Sequence, residues 1–271
     1  GVEHEMLVDI QYSLKKCDDC QMIYQEWIPN ELLFERLYEQ WIDPGIAQTQ
    51  AKAKHSLART LSFIYEVANI VQYAGRSPSE LKFLDYGMGW GEWCVCAQAF
   101  GVDIYGCEIS KSRIEHAKRL GIRVLPLEEL QQHRFDFINT EQVFEHLPKP
   151  RETLEILAKT LNDGGVIKIS VPDGTDVENR LINPDWLAPK GAPESLNAVA
   201  PLEHLNCYSH QSLTRMATLV GLKQVQIPEQ IVMKTTSDLL SLGSLLRHLN
   251  QYARQMQPFL YPYLSTVLFF G

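Results

Sequence analysis

The segment that most constrains this chain is Phe83-Leu84-Asp85-Tyr86-Gly87-Met88-Gly89-Trp90-Gly91. An apolar run of strand character enters a loop with glycine at every second position, and a helix is expected to begin near Glu92. Strand, glycine loop and helix in that order fit an open α/β sheet, where ligands bind beyond the carboxyl ends of the strands. Glycines let the main chain turn sharply and let a ligand approach it with no Cβ in the way. The next apolar run ends at Glu108, about twenty residues on, where a carboxylate can accept hydrogen bonds from a ribose diol. Together these features point to a nucleoside ligand. The spacing is G-x-G-x-G rather than the G-x-G-x-x-G of dinucleotide sites, and Asp85 precedes the first glycine. An acid at that place repels a pyrophosphate and suits a cationic ammonium, which favours an amino-acid nucleoside.

From Leu81 onward, short apolar runs alternate with helical stretches, the pattern of a parallel sheet with crossovers. Strands are expected at 82–86, 103–108, 123–125, 135–139 and 166–171, with helices at 110–120 and 151–161. Asn162-Asp163-Gly164-Gly165 reads as a helix stop followed by a turn. A Pro-, Asn- and Gly-punctuated stretch then runs to about Ser209 and is expected to be irregular. Beyond it a helix is expected at 209–220, a strand near 223–227, a helix at 237–255 and a last strand at 265–270. Upstream lie Cys17-Asp18-Asp19-Cys20 and helical patterns at 30–41 and 48–73. The chain is therefore divided into a CxxC segment with a helical cover (1–80) and a ligand-binding domain (81–271) carrying a lid insertion at about 174–205.

A formal net charge of −8, with no dense Lys/Arg stripe, argues against a nucleic-acid partner, which needs a positive surface for the phosphates. No apolar run is long enough to span a membrane, and no signal-peptide pattern opens the chain, so no membrane partner is expected. The six cysteines lack the density of a disulfide scaffold, and a cytoplasmic location is expected. The sequence opens on Gly1 rather than Met, and the protein is expected to begin further upstream.

Four further segments follow the glycine loop and Glu108 in order. They are Phe135-Asp136-Phe137-Ile138, then Val143-Phe144-Glu145-His146-Leu147-Pro148, then Leu161-Asn162-Asp163-Gly164-Gly165-Val166 with Val171-Pro172, and finally Glu203-His204-Leu205-Asn206-Cys207-Tyr208-Ser209 with Leu213 and Gly221-Leu222. In this order, over roughly 80 to 227, they resemble the class I S-adenosylmethionine-dependent methyltransferases. The last segment narrows the resemblance to the subgroup that methylates mostly small molecules. The resemblance implies a doubly wound, seven-stranded, mostly parallel sheet of Rossmann-like type, with the last strand antiparallel. It implies S-adenosyl-L-methionine as cofactor and an O, N or C atom of a small molecule as acceptor. By position, Glu108 binds the ribose hydroxyls with Ile109 beside it, while Asp85, Gly87, Met88, Gly89 and Gly91 surround the methionine part and the sulfonium. Leu127 offers its backbone to the adenine edge, and Thr140 and Glu141 close over the methionine end. The family often carries an acid just before the Leu127 position; here Pro126 stands there, which weakens that assignment.

Methyl transfer from a sulfonium is an in-line displacement with a neutral leaving group, so alignment alone can supply about 7–11 kcal/mol. A base is needed only if the acceptor must lose a proton. His204 and His146 are the catalytic candidates, with Tyr208 behind them; the competing readings are that His204 fixes the lid and that His146 caps or packs. Trp93 is expected in the core, Trp90 is left open, and Trp186 either touches substrate or anchors the lid. Cys94 and Cys96 read as small buried hydrophobes, and no metal site is assigned. The lone CxxC has half the ligands a zinc site needs, and some relatives carry two such pairs, so a remnant zinc ribbon is the reading. Two rivals stand beside the methyltransferase: a nicotinamide-dependent oxidoreductase, and a non-catalytic nucleoside-binding module of the same fold.

Overall fold

In a computed structural model, residues 4–8, 11–37, 57–227 and 265–271 are described. The helix expected at 237–255, the part 48–56 of that expected at 48–73 and the end of that at 30–41 lie outside the described residues. Among the described strands, seven form one sheet: β3 (Lys82–Tyr86), β4 (Asp103–Cys107), β5 (Arg123–Val124), β6 (Phe135–Glu141), β7 (Leu161–Pro172), β9 (Gln224–Val225) and β10 (Ser265–Phe270). Their spatial order is β5-β4-β3-β6-β7-β10-β9. The β5 to β7 ladders are parallel, and β10 runs antiparallel to both neighbours, as the resemblance implied. Of the remaining three strands, β1 (Leu14–Lys16) and β2 (Ile23–Gln25) form a hairpin. The outer edge of β2 takes β8 (Asn206–Cys207), giving a small antiparallel sheet, and the short helix α1 (Glu31–Arg36) follows β2 in the chain.

Side-chain alternation explains why both faces of the main sheet are covered. Phe83, Phe137 and Val166 lie in one apolar cluster, while their chain neighbours Leu84, Ile138 and Ile167 lie in the other. The first face is packed by α2 (Leu57–Ala74), α3 (Glu92–Ala99) and α4 (Lys111–Arg119) through Val67, Ile70, Trp93, Cys94 and Ala117. The second is packed by α5 (Pro150–Lys159) and α7 (His210–Leu219) through Leu154, Leu157, Leu213 and Met216. Trp93 stacks on Phe137 at 5.9 Å and is 3 % exposed, so its expected place in the core holds.

Three local expectations change. β6 runs on through Thr140 and Glu141, which pair with Ile169 and Ser170 instead of lying in a loop. β7 starts at Leu161, opposite Phe135, and the next pair is Phe137 with Val166, so Asn162-Asp163-Gly164-Gly165 bulges out of a continuing strand rather than ending a helix. The 174–205 stretch is not without a core. It contains α6 (Val177–Ile182), and Val177, Leu196, Ala198 and Val199 bury against Ile23 and Cys207 of the small sheet. No helix among the described residues is long and apolar enough to cross a membrane.

Candidate active site

The G-x-G-x-G spacing places three residues in the left-handed backbone region, Gly87 at φ 76°, Gly89 at φ 56° and Gly91 at φ 80°. A Cβ on Gly87 would stand 2.5 Å from the Val143 side chain, whereas one on Gly89 would meet nothing within 4 Å. The loop therefore packs on the 142–148 segment at one glycine and opens outward at the next. Its start is tied to the end of β4, because Gly87 and Met88 both donate to the Cys107 carbonyl, at 2.8 and 3.0 Å. The Met88 side chain is buried against Gly106, which leaves only its main chain for a ligand.

Glu108 sits just past the tip of β4 with a carboxylate only 5 % exposed. Its Oε2 accepts from the Gly89 amide at 3.0 Å, and its Oε1 accepts from Ile109 at 2.8 Å and Ser110 at 3.0 Å. Arg113, on the first turn of α4, stands 3.6 Å from it. On either side, Ile109 (71 % exposed) and Leu127 (43 % exposed) leave apolar surface open beyond β4 and β5.

Asp85 lies in register between Gly106 and Asn139 and is fully buried. Burial pushes its carboxyl up to about 7, against the opposing effect of hydrogen bonds from Asn139 Nδ2 at 2.8 Å and Cys94 Sγ at 3.4 Å. Next along the same row is Lys168, whose ammonium meets both Glu66 oxygens (2.9 and 2.8 Å) and Glu141 Oε2 (2.8 Å). Burial opposes ionisation of Glu141, yet Lys168 and Ser170 hold its carboxyl below the ordinary range. Thr140 is buried and donates to the Lys168 carbonyl, so its hydroxyl serves the sheet. Glu66 also accepts from Trp93 Nε1, which couples α2 to α3. Asn139, Lys168 and Glu66 were missed by sequence reasoning. A lysine inside the apolar run Val166-Ile167-Lys168-Ile169 was the available signal, since such a charge needs a buried partner.

Across the loop stand the two histidine candidates, brought together at 4.9 Å between ring centroids. The turn carrying His146 is held from behind. Asn206 donates to the Phe144 and Leu147 carbonyls, and the Tyr208 hydroxyl donates to Phe144. His146 Nδ1 lies 2.7 Å from the Glu203 carbonyl. Gln25 of β2, 4 % exposed, donates to the His204 and Ala200 carbonyls. Burial lowers His146, and burial together with His146 lowers His204 to about 3, so both imidazoles are neutral near pH 7. Close to both lies Glu145, unforeseen as a site residue, whose Oε1 is 3.7 Å from His146 Nε2 and whose burial pushes it up to about 8. Two residues in the left-handed region, Gln142 at φ 55° and Leu202 at φ 66°, precede these segments.

The remaining expected residues fall as follows. Trp90 is half-buried and meets His116 edge-on at 5.3 Å, while Trp186 rests its edge on Tyr12 at 5.7 Å and stays 47 % exposed. Cys94 and Cys96 are buried. Cys17 and Cys20 lie within the β1–β2 connection, with no disulfide between them.

A family model described as a methyltransferase domain matches residues 54–227. The chain belongs to this methyltransferase family. Among curated proteins it is similar to the ubiquinone biosynthesis O-methyltransferase of Bordetella avium (strain 197N), 26 % identical over 149 residues. That match covers 51 % of this chain and 58 % of the Bordetella protein, less than two thirds of its length. The counterpart from Vibrio cholerae serotype O1 is 24 % identical over 194 residues, 59 % of this chain and 75 % of that protein. Among solved structures, the fold resembles the plantazolicin methyltransferase BamL in complex with a triazolic desmethylPZN analog and SAH. There the TM-score is 0.56 at 16 % identity, over 83 % of this chain and 89 % of that one. BpumL, the plantazolicin methyltransferase in a similar complex, gives a TM-score of 0.55 at 18 % identity, over 85 % and 92 %. The seven-stranded, mostly parallel sheet of this methyltransferase, with its last strand antiparallel, agrees with the expectation from its motifs.

Proposed function

We propose that this methyltransferase uses S-adenosyl-L-methionine to methylate a small-molecule acceptor, with oxygen the favoured atom among O, N and C. The observation that carries the reading is the Glu108 carboxylate. It is fixed by three amides at the rim of a glycine loop whose Gly89 opens onto space, with Ile109 and Leu127 exposed beside it. Ribose hydroxyls bind carboxylates, an adenine ring covers apolar surface, and an ammonium group suits the Asp85 end, so the residues present fit this cofactor. When bound, its sulfonium supplies an electrophilic methyl carbon that leaves a neutral thioether behind. The chain's share is alignment: Gly87, Met88, Gly89 and Gly91 present main chain, Glu108 sets the ribose, and Asp85 with Glu141 sets the charge at the methionine end. The oxygen preference rests on the curated relatives, which are O-methyltransferases of ubiquinone biosynthesis.

On the acceptor side stand His146 and His204. Arg113, which touches Glu108, also acts on His146, and Val143 packs on Gly87, so the histidine pair borders the cofactor loop. Neutral imidazoles can accept a proton from an acceptor or bind a metal. No nucleic-acid partner is part of this reading, and a cytoplasmic location is supported by six free cysteines.

Calorimetric titration with S-adenosylmethionine, S-adenosylhomocysteine and NAD tests the cofactor. The two adenosyl ligands are expected to bind and NAD is not, with Glu108→Ala weakening binding by about tenfold or more, or roughly 1.4 kcal/mol. Binding of NAD alone would overturn the reading in favour of an oxidoreductase. Adenosyl binding with no turnover in an acceptor screen would leave a nucleoside-binding module.

A further inference from the structure

We propose that Glu145, His146 and His204 form a site for one divalent first-row transition cation, zinc being the natural occupant class. Their ligand atoms all lie within 4.8 Å of one another. Bonds of 2.0–2.1 Å around a tetrahedral ion put ligand atoms roughly 3.3 Å apart, so small side-chain rotations close the set. Glu145 is 1 % exposed, and neither of its carboxylate oxygens has a hydrogen-bond partner; His204 is 6 % exposed, and its Nδ1 has none either. Buried polar atoms in folded proteins are nearly always partnered, and each orphan costs about 1–3 kcal/mol. Three orphaned atoms facing a second imidazole in one place have a common explanation in a cation that all of them bind.

The surroundings match what such a site requires. A metal-binding imidazole ordinarily gives its other N–H to a carbonyl, which fixes the ring. His146 has the Glu203 carbonyl at 2.7 Å from Nδ1. That ring is thus oriented from its far side. Asn206 and Tyr208 brace the Glu145–His146 turn, and Gln25 braces the His204 segment. Two imidazoles and one carboxylate suit zinc, iron(II), manganese or cobalt, and are the wrong donors for calcium. Three protein ligands leave a fourth position open, the arrangement of reactive rather than structural zinc. That position takes an oxygen donor. On the methyltransferase reading, which this step alone requires, it selects an acceptor that carries a hydroxyl.

The test uses the full chain, purified without chelator or histidine tag, then stripped and titrated with cobalt(II). About one cobalt per chain is expected, with visible ligand-field bands and no intense thiolate charge-transfer band. Glu145→Gln and His204→Asn are expected to weaken binding by about tenfold or more, while the double variant Cys17→Ser/Cys20→Ser leaves it unchanged. S-adenosylhomocysteine binding by the same variants, followed by calorimetry, reports whether they fold. No cobalt bound by the wild-type chain, cobalt lost with the two cysteines, or equal binding in both site variants would each overturn the proposal. Failure of wild-type S-adenosylhomocysteine binding beside intact cobalt binding would sink the cofactor reading and leave the metal site standing.

Discussion

The two ends of the candidate site are built in opposite ways. At the cofactor end the carboxylates are met: Glu108 by three amides, Asp85 by Asn139 and Cys94, Glu141 by Lys168 and Ser170. At the acceptor end, Glu145 and His204 are buried with orphaned atoms, and the elements that hold them come from β2, the turn after β6 and the segment after β7. A site whose carboxylates are met stabilises the fold it belongs to, even with Asn139 Oδ1 left unpartnered beside Asp85. An unsatisfied one destabilises it, and is tolerated where a ligand completes it. The comparison predicts that the two ends answer differently to substitution.

The largest effect is expected at the cofactor end. Lys168 is 3 % exposed in its side chain and carries the charge balance for Glu66 and Glu141, which retain 24 % and 34 %. Lys168→Met keeps the volume and removes the counter-charge. Breaking a buried pair from one side costs about 3–5 kcal/mol, and the partial exposure of both acids places this case near the lower figure. Denaturant melts check it. A loss below about 1 kcal/mol would mean that the network is solvated and the contrast between the two ends is overstated.

The same contrast explains what the sequence disclosed. Glycine loop, strand ends and Glu108 lie within one βαβ stretch, and local periodicity with the loop spacing is enough to read them. Thr140 and Glu141 were placed one step too late because an apolar run ends at Asn139 while its ladder continues by main-chain pairing with β7. The bulge at Asn162–Gly165 was read as a turn, since Gly164 at φ 74° satisfies either. The small sheet was not foreseen, because three-residue strands are too short for alternation to register and β8 meets β2 across most of the chain. Glu145 passed as part of a motif, its burial being a tertiary property. His204 was ranked first as a base on position alone, and its depression to about 3 by burial and by His146 is invisible in a sequence.

A second prediction sharpens the account of the cofactor end. Asp85 ionises near 7 in the folded chain against an ordinary value of 3.8. The folded state therefore holds its proton longer than the unfolded state does, and this group's contribution to stability falls as pH rises from about 4 to 7. A cationic ammonium bound at that end favours the ionised form. Affinity for S-adenosylhomocysteine is expected to rise about tenfold per pH unit below 7, roughly 1.4 kcal/mol, and to level off above it. Calorimetry between about pH 6 and 8 in buffers of different ionisation enthalpy reads the proton release directly. In Asp85→Asn the slope disappears. A flat profile in the wild-type chain would place the ammonium away from Asp85.

The smallest expected effect probes the acceptor end through a residue that touches neither ligand. Gln25 is buried and gives its amide to the His204 and Ala200 carbonyls at 3.0 and 3.2 Å. Gln25→Ala leaves the His204 carbonyl short of a donor in a buried place, while the Ala200 carbonyl keeps the His204 amide at 3.0 Å, so the cost is about 1–2 kcal/mol of stability. The β2 strand still pairs with β8 through its main chain, so the small sheet persists. What changes is the register of His204 against His146 and Glu145, and displacement of an aligned group lowers turnover far more than it lowers cofactor binding. Cobalt affinity and acceptor turnover are expected to drop severalfold, with S-adenosylhomocysteine affinity unchanged. Parallel titrations of the two ligands decide the matter. Equal losses in both would show that the hairpin supports the whole site and that its two ends do not separate; a loss confined to cobalt and turnover would assign the N-terminal hairpin to the acceptor end.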